Sequence, residues 1–111
     1  MGELVKGDVV VVPFPFSNLS NFKKRPALVL ANLKDEDLIL SQITSQNIFD
    51  SYSINIGSDD MRNGNLNMNS NVRPNKIFTA DKNIVLYKIG SLNDEKLKEV
   101  INKIIEIFKM N

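Results

Sequence analysis

Arg25 and Thr44 are the two residues whose types and spacing best suit chemistry on a phosphate. A guanidinium is always charged and offers a fork of donors that matches phosphate oxygens. A threonine hydroxyl can donate one more hydrogen bond to the same group. Stabilising charge as it develops is often the largest single catalytic contribution. Arg25-Pro26 opens an apolar run over residues 27–32, and a second run over residues 38–43 ends in Thr44-Ser45. The polar stretch 33–37 between them reads as a turn. If the runs pair as a hairpin centred between Lys34 and Asp35, partners have numbers adding to 69, and Arg25 falls opposite Thr44. Directly opposed residues share one face, with Cβ atoms about 4.5–5.5 Å apart. A one-residue slip would send one of the pair to the other face, so the site depends on register.

The chain has no cysteine and no histidine. Without cysteine there is no disulfide, thiol nucleophile or thiolate metal site. Without histidine the usual general base and the commonest metal ligand are missing. Hydrolytic chemistry falls to carboxylates, hydroxyls, lysines or arginines, and no metal or cofactor is expected. A length of 111 residues reads as one domain over 1–111 with a modest core. No apolar run is long enough to cross a membrane, and the first residues lack a signal-peptide core. These features fit a cytosolic protein.

Net charge is +1 but unevenly spread. Residues 1–34 carry five Lys or Arg against two acids, residues 35–60 six acids and no base, and residues 61–90 five bases against one acid. Overall charge therefore gives no argument for a nucleic-acid partner. A local basic patch can still form from Lys23, Lys24, Arg25, Arg62, Arg73 and Lys76, although charge runs are commonly solvated faces.

The elements that must position these groups read as follows. Gly7-Asp8 is a turn, and residues 9–13 form a buried β-branched strand. Pro13 and Pro15 end it, because proline cannot donate to a ladder. A polar loop runs over residues 16–24. Arg25, preceding a proline, is pushed toward extended backbone, which suits a strand entrance. Residues 51–56 alternate strictly and read as a half-buried strand. Residues 57–75 read as a long asparagine-rich loop with a short helical turn at 58–63, and residues 76–79 and 84–89 as the last strands. Asn93 is a good N-cap, with Asp94 and Glu95 complementing the helix dipole. Leu97, Val100, Ile101, Ile104, Ile105 and Phe108 then form one apolar stripe, expected to pack on a sheet. Ile107 lies off the stripe, either as a partner contact or as an ordinary exposed residue. This pattern is mainly β, all-β or α+β, with a strongly curved small sheet.

Four blocks resemble the MazF/PemK toxins: Gly7-Asp8-Val9-Val10-Val11-Val12 before Pro13-Phe14; Arg25-Pro26-Ala27-Leu28-Val29-Leu30; Ile43-Thr44-Ser45; and Lys88-Ile89-Gly90-Ser91-Leu92 before an amphipathic helix. They occur in family order and span most of the chain. The resemblance implies a small SH3-like barrel with a C-terminal helix, usually a homodimer, as in MazF and CcdB. It also implies a cytoplasmic endoribonuclease of a toxin–antitoxin pair that cuts single-stranded RNA without a metal. The 2′-hydroxyl would attack its own phosphate, leaving a 2′,3′-cyclic phosphate and a 5′-hydroxyl. Family precedent places an arginine and a threonine at Arg25 and Thr44. Arg73 matches a segment where some members carry arginine and, two residues on, an acid proposed to shuttle protons. Here that position is Asn75, whose amide cannot act as a base but can bind RNA. Ser17 and Ser20 fall where relatives place a substrate-gating loop, which here lacks the glycine and glutamate often found there. Phe22 is the best exposed aromatic for stacking on a base, and Lys23, Lys24 and Ser45 complete the candidate RNA-binding set. The expected partner is an antitoxin whose acidic segment covers the basic loop.

Two other functions fit the same fold. One is a gyrase-type protein inhibitor like CcdB, which works through a tryptophan near the helix end; this chain has no tryptophan and ends Phe108-Lys109-Met110-Asn111. The other is a barrel serving only as an interaction module, against which Arg25 and Thr44 both stand.

Overall fold

The computed structural model describes residues 2–14 and 23–111. Ser17, Ser20 and Phe22 lie outside the described residues. The elements run β1 (Asp8–Phe14), β2 (Lys23–Asn32), β3 (Asp37–Thr44), β4 (Ile54–Ile56), β5 (Met61–Gly64), β6 (Ser70–Asp81), β7 (Tyr87–Leu92) and α1 (Asp94–Phe108). Every strand pairing is antiparallel, in the spatial order β4-β6-β3-β2-β1-β7-β5.

The near-continuous apolar runs of β1 and β2 are explained by burial on both faces. Successive side chains of a strand point to opposite sides. Val9, Leu28 and Leu30 join one core cluster with Ile43, Ile54, Ile56, Val72, Leu92 and the helix residue Val100. Val10, Val12, Ala27 and Val29 join a second, with Leu4, Leu38, Leu40 and Val85. The sheet is a curled half-barrel closed by the helix on one side.

Four ladders carry register shifts, and such bulges bend a strand and increase its twist. In the β2–β3 hairpin the pairs Ala27↔Gln42, Leu28↔Ser41 and Val29↔Leu40 keep the expected register, while Ala31↔Ile39 and Asn32↔Leu38 are one residue off. The extra residue, Leu30, is absorbed near the turn, so the open end keeps its alignment. Between β3 and β6 the shift is larger: Ser41 pairs with Ile77, and Gln42 with Arg73. Residues 74–76 bulge out there, where Pro74 could not have donated to the ladder.

Several expectations need correction, among them Asp8, expected in a turn, and Lys23 and Lys24, expected in a loop, which are strand residues of β1 and β2. Pro13 does not end β1: the strand continues to Phe14, paired to Lys23. Pairing of β1 to β7 stops at Val11, so Pro13 lies where no second neighbour needs its missing donor. Residues 57–75 are not a long loop. They hold a 3-10 turn at Ser58–Asp60, β5 and the start of β6, ordered by pairing to β7, β3 and β4. The alternating stretch 51–56 is strand only over Ile54–Ile56, because Asp50 Oδ1 accepts from the N–H groups of Tyr52 and Ser53 and bends the chain there. The last strand begins at Tyr87, after a 3-10 turn at Lys82–Ile84 capped by Asp81.

The helix agrees closely with its pattern. Asn93 Oδ1 accepts from Lys96 N–H at 2.7 Å. Leu97, Val100, Ile101 and Ile104 pack into the core, whereas Ile105 and Phe108, at the outer end of the stripe, are exposed.

Gly64 and Gly90 meet where β5 crosses β7. Gly64 has φ +77°, and a Cβ on Gly90 would lie 2.3 Å from the carbonyl oxygen of Asn63. Backbone on the other side cannot move aside as a flexible side chain can. Gly90→Ala is therefore expected to lower stability by about 3 kcal/mol, read as a shift in the urea midpoint at unchanged slope.

Candidate functional site

Two clefts open on either side of the β2–β3 open end. One, of about 220 Å³, is lined by Phe14, Arg25, Gln42, Thr44, Gln46 and Arg73, among others. The second is lined by Lys24, Arg25, Thr44, Ser45, residues 65–68, Ser70 and Tyr87, among others. Arg25, Pro26, Ile43 and Thr44 belong to both, so the arginine and the threonine stand on the ridge between them. The β2–β3 ladder ends at Ala27↔Gln42, next to donor-less Pro26. Continued by two residues, its register sets Arg25 beside Thr44.

Arg25 is exposed and forms no ion pair among the described residues. Thr44 Oγ1 accepts from the N–H of Gln46 at 3.2 Å. This turn contact uses a lone pair of the hydroxyl and leaves its proton to donate.

Arg73 reaches the first cleft from β6. Its guanidinium donates to Asp50 Oδ2 at 3.2 Å, with both side chains about one-quarter exposed (23% and 26%). Its Nε is buried and has no hydrogen-bond partner among the described residues. Asp50 is held below its ordinary pKa of 3.8, chiefly by the Ser53 N–H; partial desolvation opposes this, while the Tyr52 N–H and Arg73 add to it. A depressed carboxylate pKa contributes stability that is fully present above 3.8 and is lost as pH falls through the lowered folded value. Asp50→Asn is thus expected to lower the melting temperature at neutral pH, with the gap to the parent closing in strong acid. Thermal melts between pH 7 and pH 2 check this.

Lys24 and Ser45 line the second cleft, so the structure brings them to the same ridge. Lys23 and Asn75 line neither cleft; Lys23 pairs with Phe14 at the strand end, and Asn75 is exposed in the β6 bulge. No Asp or Glu among the described residues lines either cleft. The arrangement can therefore offer a phosphate a guanidinium and a hydroxyl as donors.

The model of the PemK-like, MazF-like toxins of type II toxin–antitoxin systems matches residues 5–108. The chain belongs to this family. Solved structures with the same MazF fold include an endoribonuclease in complex with its cognate antitoxin from a mycobacterial species. That match has 12% identity and a TM-score of 0.77 and covers 98% of each chain. A MazE–MazF complex from Deinococcus radiodurans has 18% identity and a TM-score of 0.78, covering 97% of this chain and 98% of that one. The Mycobacterium tuberculosis toxin MazF-mt6 has 17% identity and a TM-score of 0.71, covering 94% and 98%. No curated protein matches.

Sequence reasoning about this MazF-like chain missed Gln42, Gln46 and Asp50, which line or support the first cleft. Gln42 carries a usable signal, since it is the predicted partner of Ala27 two residues before Thr44. Gln46 and Asp50 carry none, because their segment is placed by β6: Asn71 Nδ2 donates to the Gln46 carbonyl at 3.0 Å, and Arg73 holds Asp50.

Proposed function

We propose that this MazF-like toxin is a sequence-specific, metal-independent endoribonuclease acting on single-stranded RNA. One observation supports the reading: an exposed guanidinium, Arg25, with no ion pair among the described residues, stands with a hydroxyl whose proton is available, Thr44, on a ridge between two clefts. RNA laid across the ridge presents one phosphate to both residues and its flanking nucleotides to the two clefts. The 2′-oxygen loses its proton and attacks phosphorus; the 5′-oxygen leaves and takes up a proton. The products are a 2′,3′-cyclic phosphate and a 5′-hydroxyl. Arg25 stabilises the extra negative charge on the phosphoryl oxygens, and Thr44 fixes their orientation. Arginine does not deprotonate and no Asp or Glu among the described residues lines either cleft, so catalysis leans on charge stabilisation more than on a strong base.

Lys23 and Lys24, exposed beside Arg25 on β2, supply a cationic approach for RNA and for an acidic antitoxin segment. Two of the similar structures are toxin–antitoxin complexes, which supports a cognate antitoxin for this single-domain, cytoplasmic chain. A homodimer fits the exposed apolar side chains of Tyr87, Ile105 and Phe108.

The test is cleavage of a long single-stranded RNA by the purified protein in excess EDTA, with fragment ends mapped. Discrete cuts with cyclic-phosphate ends are expected. No cleavage of a varied RNA pool by folded protein overturns the reading and directs the search to a protein target.

A further inference from the structure

We propose that Asp50 is a positioning residue for RNA cleavage. It holds the guanidinium of Arg73 so that Nη1 faces the first cleft, as a second donor to the phosphate that Arg25 engages. The proposal rests on the ribonuclease reading above and adds a residue that touches no RNA itself.

The guanidinium nitrogens of Arg73 stand in different surroundings. Nη2 donates to Asp50 Oδ2 at 3.2 Å. Nε is buried without a partner among the described residues. Nη1 also has no partner among the described residues but, unlike Nε, is not buried. Nη1 is thus the nitrogen left to meet something from outside. The side chain lines the first cleft, not the second, and shares that lining with Arg25 and Thr44. A cleft lined by charges of one sign concentrates the opposite sign, here a phosphate between two arginines.

Asp50 is built to hold rather than to react. Its Oδ1 accepts from the N–H of Tyr52 at 3.0 Å and of Ser53 at 2.9 Å. The backbone therefore orients the carboxylate, and Oδ2 is left for Arg73. Exposed ion pairs join two mobile side chains and stabilise little; this one starts from a carboxylate that is already fixed. Arg73 is anchored at its other end as well, where the buried Ser41 donates from Oγ to the Arg73 carbonyl at 2.6 Å. Asp50 lines neither cleft, so it acts on RNA only through Arg73.

The buried Nε–H shows why a holding group is needed. A buried donor without an acceptor is costly. Turning the guanidinium out toward water relieves that cost and carries Nη1 away from its place. The Asp50 contact opposes the turn. Asp50→Asn isolates this effect. An asparagine oxygen still accepts from Tyr52 and Ser53, so the chain still bends there. Its amide nitrogen can only donate, so it cannot hold Arg73, which has no acceptor of its own.

The test is single-turnover cleavage at saturating enzyme, far below every melting temperature, beside binding of a 2′-deoxy-substituted oligonucleotide that cannot undergo 2′-hydroxyl attack. Asp50→Asn is expected to slow the saturated rate about tenfold, within the range that a misplaced group costs. Its affinity for the oligonucleotide is expected to hold or tighten, because a negative charge near the RNA is removed. Arg73→Ala is expected to slow the same step about tenfold or more, and adding Asp50→Asn to it to cost less than about twofold further. Asn93→Ala, which removes the helix cap and lines neither cleft, lowers stability alone and is expected to keep the parent rate. The inference is overturned if Asp50→Asn keeps the parent rate, if it weakens binding while the saturated rate holds, if its loss persists in full on Arg73→Ala, or if Asn93→Ala slows cleavage as much. A parent that cuts no RNA removes the ribonuclease reading and this inference with it. A parent that cuts while Asp50→Asn cuts equally fast overturns this inference alone.

Discussion

Arg25→Ala is expected to lower RNA cleavage by about 10²–10³-fold, the cost typical of removing one donor to a charge that develops in the transition state. Arg25 is exposed and forms no ion pair among the described residues, so its fold contacts are few. The melting temperature should therefore stay close to that of the parent, since surface changes away from special features usually fall within about 0.5 kcal/mol. Loss of rate without loss of fold separates a catalytic group from a structural one. Arg25→Lys should recover only part of the activity, because an ammonium is a point charge without a fork that spans two phosphoryl oxygens. Thr44→Val, close in shape but without the hydroxyl, should cost less than Arg25→Ala, as it removes a neutral donor. Single-turnover cleavage with saturating enzyme measures the chemical step directly. A change below about fivefold in Arg25→Ala would mean that the ridge only binds RNA, and retained toxicity in cells would point to a protein target.

The second large effect concerns stability. Asp8 is fully buried at the start of β1, beside Ser91 of β7. Its Oδ2 accepts from Val5 N–H at 2.9 Å, and its Oδ1 accepts from Ser91 Oγ at 2.7 Å and lies 3.2 Å from Lys88 Nζ. One carboxylate thereby ties the N-terminal segment, β1 and β7 together. Asp8→Ala leaves a buried hydroxyl and a backbone N–H without their acceptor. Lys88 is less affected, since its side chain is 37% exposed and can turn to water. The expected loss is about 3 kcal/mol, at the low end for breaking a buried pair. For a domain of this size that lowers the melting temperature by roughly 15 °C. Ser91→Ala should cost about 1 kcal/mol, since it removes a single hydrogen bond. If Asp8→Ala costs less than about 1 kcal/mol, water replaces the carboxylate and the network is not what joins the two strands.

How much of this was legible in the sequence varied with how local the cause was. The helix was readable almost to the residue, because a cap three residues from its N–H and an apolar stripe at i, i+3, i+4 are local facts. The hairpin register was readable at the Arg25 end although the pairs nearest the turn are one residue off. Alternation fixes which face each side chain takes, and the Leu30 bulge took up the difference beyond Val29. Residues 57–75 were misread as loop because their order comes from distant partners. Met61–Gly64 pairs with a segment almost thirty residues on, and the bulge at 74–76 breaks the period of β6, so neither strand carries a local pattern. Asp8, read as a turn residue, proved to be a buried tie. Nothing near it in sequence announces Ser91.

By itself the sequence determined the chemical repertoire. A chain without histidine or cysteine is left with carboxylates, hydroxyls, lysines and arginines, and the hairpin pattern sets Arg25 and Thr44 at one open end. It also carried the family, since the blocks that resemble MazF and PemK toxins stand in order along the chain that the family model matches. Only the tertiary structure decided what surrounds that pair: the clefts on either side, the Arg73–Asp50 ion pair, and the carboxamides of Gln42 and Gln46 beside the aromatic wall. These groups come from β1, β3, the segment after it, and β6. The bulge at 74–76 sets where Arg73 meets Gln42. The type of a residue is written at its own position, but its neighbours in space depend on the register of several ladders at once.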